Sequence, residues 1–126
     1  MDQETIMHFS AIEQEARELE DNLQLIATQI AELDNFRESL EFLMKSKEKE
    51  ILSSLGKRVY MKSKIEDKEK LFVEIGAGIV VKKTPEETIK IVKEQIIRLQ
   101  EARVQISVQL EIYQRELESF LYSVKK

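Results

Sequence analysis

"LFVEIGAGIVVKKTPEET", residues 71–88, carries the instructions for a hairpin and for the helix that follows it. Leu71, Val73 and Ile75 alternate with Phe72 and Glu74 as a strand does, and Ile79, Val80 and Val81 form a second β-type run. Between them Gly76 and Gly78 flank Ala77, and either glycine can take the positive φ that a tight turn demands. Thr84, Pro85 and Glu87 then spell a helix start. Thr84 can accept from the amide of Glu87 while Glu87 reaches back to Thr84, and proline at the first helical position lacks only a donor that would be unsatisfied anyway.

Upstream, "ILSSLGKRVYMKSKI" (residues 51–65) repeats the pattern around Gly56, with Val59, Met61 and Ile65 alternating with Tyr60, Lys62 and Lys64; "IEDKEK" separates the two runs as a polar turn. Two β-hairpins are therefore predicted over 51–83. Both runs of the second are apolar on more than one face, which leaves sheet surface and strand edges needing cover from other chains. That makes Leu71, Phe72, Val73, Ile75, Gly76, Gly78, Ile79, Val80 and Val81 the candidate oligomerisation surface.

All three glycines and the only proline fall in this middle block, so the flanks, 1–50 and 84–126, can be unbroken helices. In the first, Ile12, Ala16, Leu19, Leu23, Ile26, Ile30 and Leu33 step alternately by 4 and 3, a coiled-coil seam. Beyond Leu33 the stripe reads through Phe36, Leu40 and Leu43, a step of 3 where 4 is due, so the seam is expected to shift there and the helix to reach about residue 50. In the second, Val92, Ile96, Leu99, Ile106, Leu110, Tyr113, Leu117, Phe120 and Val124 keep the heptad, with Arg103 as its charged member. Helices of equal length joined by a connector fold back as an antiparallel pair. The chain's two ends then share one tip, far from the β block, where Ile6, Met7, Phe9, Phe120, Leu121, Tyr122 and Val124 form a candidate apolar binding surface. Phe9, Phe120 and Val124 also fit as last rungs of the seam; Met7, Leu121 and Tyr122 fall off it.

Other chemistries find no support. The 126 residues hold no cysteine and one histidine, His8, near a terminus, so metal sites, disulfides and a histidine base lack their parts, and no cofactor is expected. "GAG" lacks a third glycine and is followed by strand, which argues against nucleotide binding. With 20 basic and 24 acidic residues read as mixed along the chain, net −4, no basic face marks a nucleic-acid partner. Glu94 and Arg98 have the i, i+4 spacing of a helix-supporting pair. No apolar run is long enough for a membrane span or signal segment, and cytoplasm is the expected compartment.

The layout resembles the alpha class of prefoldin. Two coiled-coil helices separated by "LGKRVYMKSKIEDKEK" and "LFVEIGAGIVV", with "VEIGAGIVVKKTPEETI" leading into the second helix, match that class over essentially the whole chain; beta-class subunits carry one hairpin. One departure is Ser53 and Ser54, where the family often has a proline-containing apolar run. The resemblance implies a mainly α subunit whose hairpins join those of partners, two alpha with four beta, into a β-barrel platform. It also implies a non-enzymatic holdase that captures unfolded polypeptide without ATP and passes it to a group II chaperonin. The alternative is a coiled-coil module that only oligomerises or tethers.

Overall fold

The computed structural model describes residues 2–125. Helix α1 (Gln3–Lys45) is followed by strands β1 (Glu50–Gly56), β2 (Val59–Lys64), β3 (Leu71–Gly76) and β4 (Ile79–Lys83), and by helix α2 (Pro85–Lys125). The strands form two separate antiparallel hairpins, β1 with β2 and β3 with β4. Ser53 and Ser54 pair with Met61 and Tyr60, so the departure from the family pattern leaves the first hairpin fully formed. Among the described residues no helix is long and apolar enough to cross a membrane.

Helix starts follow the expected chemistry. Asp2 accepts from the amide of Thr5 at 2.7 Å and caps α1, and the Thr5 side chain, then its amide, hold the Asp2 carboxyl below the usual carboxylate range. At α2 the reciprocal box closes: the Glu87 amide donates to Thr84 Oγ1 at 3.2 Å, and the Thr84 amide donates to Glu87 Oε1 at 3.1 Å. The backbone bond from Thr84, then its side-chain bond, lower the Glu87 pKa. The far end of α1 differs from expectation, stopping at Lys45 and not near residue 50. The Ser46 amide still reaches the Phe42 carbonyl at 3.0 Å, but Ser46 Oγ then accepts from the Glu48 amide and turns the chain away. Lys68, in the loop between the hairpins, donates from Nζ to the carbonyls of Leu43 (3.1 Å) and Ser46. A cation there satisfies carbonyls that have no helical partner and complements the negative end of the helix dipole.

The chain divides into two compact units, one joining the stretch up to Glu32 with that from Ile96 onward, the other running from Leu33 to Gln95. In the first, Ile12, Ala16, Ile26 and Leu110 are buried, while Phe9, Leu19, Leu23, Ile30, Leu99, Ile106, Leu117 and Phe120 are half-buried. The antiparallel pairing shows in the stack of Phe9 on Phe120 and in the approach of the Glu15 carboxylate to Tyr113, which raises the phenol's pKa. Ala102 is half-buried and Arg103 is exposed, so the charged seam position yields its place to the small side chain beside it. Val124, expected as a last rung, is 49% exposed.

In the second unit Leu40, Val92 and Thr88 are buried. The seam does not shift after Leu33. The 4-3 rhythm simply continues through Arg37 to Leu40, which leaves Phe36 49% exposed. Arg37 is half-buried, its guanidinium reaching Asp34 (2.8 Å) and Glu41 (3.0 Å) on its own helix, and the Asp34 hydrogen bond is the main cause of its raised pKa. A long aliphatic stem can cover a seam while its charged head stays at the surface. A polar residue in such a position costs stability but disfavours other registers. The register is testable by unfolding of two variants. Leu110→Ala is expected to cost about 2–4 kcal/mol, against no more than about 1 kcal/mol for Phe36→Ala despite its larger side chain. The reverse order would restore the shifted seam.

Candidate functional site

Both candidate surfaces depend on what the strands and the helix ends leave uncovered. The hairpin turns share one backbone design. Gly56, Lys57 and Arg58 have φ of 100, 53 and 65°, and Gly76, Ala77 and Gly78 have 129, 51 and 75°. Two successive residues with positive φ between paired strands make the tight turn whose twist suits a hairpin, and the register slips by one residue just before each. Both glycines of the second turn take positive φ, and Ala77 does so as well. No neighbour crowds a Cβ at Gly76, so conformation alone favours glycine there. Lys57 and Arg58 show that glycine is not obligatory in the first turn; no sequence signal other than Gly56 marked it.

Each slip displays a large apolar residue: Leu55 is 62% and Ile75 61% exposed. On the second hairpin Val73 lies opposite Val81 and both are half-buried, as is Leu71. The other predicted assembly residues stand in the open. Phe72 is 70% exposed with Lys82 Nζ 6.0 Å from its ring centroid, and Ile79 and Val80 are more than half exposed. The first hairpin, which the resemblance also places in the assembly platform, adds Leu52, Val59, Tyr60 and Met61, all exposed and none of them singled out by residue from the sequence. The signal available was the run Val59-Tyr60-Met61, three apolar or aromatic residues in succession, which puts such side chains on both faces of the strand. Two-stranded sheets with this much apolar surface and free edges are not self-sufficient.

At the start of α1 and the end of α2 the candidate capture residues do come together. The rings of Phe9 and Phe120 stack with centroids 3.9 Å apart and planes 20° apart, and His8 meets Phe9 edge-on at 5.3 Å. The stack ties the two helix ends to each other and separates two open grooves. One is lined chiefly by apolar side chains, Ile6, Phe9, Leu117, Phe120 and Leu121, with Ser10 and Glu13 at its edge. The other is more polar, with Thr5, His8, Glu116, Ser119 and Ser123 beside Val124. Within the apolar groove Ile6 and Leu121 are about half exposed, and outside both grooves Met7 is 64% and Tyr122 66% exposed.

Charge is also distributed differently from the even mixture read from the totals. Residues 1–34 hold nine acidic residues against Arg17 alone, whereas residues 45–83 hold eleven basic against six acidic. This was legible in the sequence by counting per segment. Arg17 with Glu13 and Arg115 with Glu111 form ion pairs at the i, i+4 spacing of a helix. Glu94 and Arg98 form none among the described residues.

Unpaired apolar sheet on the hairpins, and apolar side chains left in the open at the start of α1 and the end of α2, are features suited to a subunit that assembles and binds through its surfaces. The model of the family described as "Prefoldin subunit" matches residues 12–125, and the chain belongs to the prefoldin family. It is 33% identical over 115 residues to the prefoldin subunit alpha of Thermofilum pendens, covering 88% of this chain and 89% of that one. It is also 31% identical over 96 residues to the prefoldin subunit alpha of Pyrococcus horikoshii, covering 75% and 65%. In fold it resembles a filamentous PFD from Methanocaldococcus jannaschii solved by cryo-electron microscopy, with a TM-score of 0.79 at 20% identity over 90% of this chain and 95% of that one. Prefoldin subunits are non-enzymatic chaperone components. The family also implies hetero-oligomeric assembly with other prefoldin subunits.

Proposed function

We propose that the chain is an alpha-class holdase subunit that assembles with beta-class partners through its hairpins, captures unfolded polypeptide at its helix ends without ATP, and delivers it to a group II chaperonin in the cytoplasm. The observation that carries this is the presence of two exposed apolar surfaces, one on the hairpins and one at the tip. In an assembled state the hairpin residues, Leu71 to Val81, become strands of an inter-subunit barrel, which removes the free edges. The tip residues Ile6, Met7, Phe9, Phe120, Leu121, Tyr122 and Val124 stay accessible. Methionine and aromatic side chains at a helix end adapt to varied apolar segments, which suits a binder that must not read sequence closely. A tether that only joins partners has no use for Met7 or Leu121 in water; this disfavours the structural alternative.

Mixing the chain with a beta-class subunit and measuring mass in solution tests the assembly half. The expected species contains two copies of this chain and four of the partner. A chain that stays apart from the partner, or that self-assembles into a filament such as the form reported for the M. jannaschii protein, would contradict it.

A further inference from the structure

We propose that the tip prefers one class of unfolded segment: those in which apolar side chains neighbour lysine or arginine. The proposal rests on the capture role given above and adds the chemistry of the client to it.

The apolar groove accounts for one half of such a segment. Carboxylates account for the other. Over residues 1–20 and 110–126 nine acidic residues face four basic ones. Of those four, Arg17 and Arg115 are each tied to a glutamate of their own helix. Glu4, Glu18, Glu20, Glu116 and Glu118 are exposed, and no ion pair engages them among the described residues. Helix spacing sets two of them beside the exposed apolar side chains. Glu118 lies one turn before Leu121 and Tyr122, and Glu4 one turn before Met7, so a segment held on those side chains passes within a few ångströms of a free carboxylate. Glu116 lines the polar groove on the other side of the Phe9–Phe120 stack beside Arg115, whose charge is taken up by Glu111.

Each exposed contact is worth little alone, and several acting on one bound segment add up to a selective bias. The range is about 10 Å at 0.1 M salt, so the bias acts on cationic residues close to the apolar anchor and fades as salt rises. Anionic segments of equal apolar content are repelled by the same field.

Three fluorescent peptides of one length and one apolar pattern, with the intervening positions filled by lysine, serine or glutamate, are titrated with the complex of this chain and a beta-class partner, in which the basic hairpins are covered, and followed by anisotropy. The lysine peptide is expected to bind about tenfold more tightly than the glutamate peptide at low salt, with serine between them. The gap should close at 0.5 M salt while the serine peptide keeps its affinity. The combined variant Glu4→Gln, Glu116→Gln and Glu118→Gln should narrow the gap at low salt and leave serine-peptide binding unchanged. Equal affinity for lysine and glutamate peptides overturns this proposal and leaves the capture role standing; failure of all three peptides to bind overturns the capture role itself. Binding of a folded basic protein as tight as that of the lysine peptide also overturns it, because the acidic arm would then serve folded partners.

Discussion

Val80→Asp and Val80→Lys are both expected to break the assembly of this chain with its partner subunits while leaving its helical content near that of the parent. Val80 is more than half exposed in the single chain, so neither change removes a core contact. Its cross-strand neighbour is Glu74, which makes the two substitutions opposite in their local effect. Aspartate faces a like charge and weakens the hairpin slightly, whereas lysine gains an opposite one. In an inter-subunit sheet both bury a charge without a partner, a cost of several kcal/mol, and each 1.4 kcal/mol is a tenfold loss of affinity. Dissociation in the lysine variant therefore cannot be blamed on a melted hairpin. Val73→Asp should dissociate the complex too, but Val73 is half-buried against Val81, so part of its effect is local. Retention of the parent mass by both Val80 variants would remove the second hairpin from the assembly role.

The main elements were legible because short-range chemistry decides them. The capping box at Thr84 and Glu87 formed as spelled, since both hydrogen bonds lie within three residues. Glycine positions likewise gave away both turns. Where the sequence misled, several residues competed for one place and only packing could choose. Phe36 looked like the natural continuation of an apolar stripe, yet the heptad rhythm reserves the seam for Arg37, whose acidic neighbours make its half-burial tolerable. Arg103 lost its place to Ala102 in the same way. The end of α1 was invisible from its own residues because part of its cap is Lys68, more than twenty residues away. At the tip the apolar residues could be named in advance, but not that Phe9 and Phe120 would stack and divide their surroundings into one apolar and one polar groove. Side-chain pairs between distant segments carry no sequence-local signal.

The claim that this tip captures clients is tested most directly by altering it in an otherwise complete complex. Met7, Leu121 and Tyr122 are all more than half exposed, so replacing the three with serine removes apolar surface from solvent without opening a cavity. Phe9 and Phe120 remain stacked and continue to join the helix ends. A second form, lacking residues 1–9 and 119–126, removes the tip altogether. Each is assembled with an unaltered beta-class partner, its mass is confirmed, and it is assayed for suppression of aggregation of several chemically denatured clients. Complexes of parental mass that suppress aggregation clearly less than the parent across those clients are the predicted result. Suppression equal to the parent's by both altered complexes, at parental mass, would show that this chain is scaffold and that capture belongs to its partners.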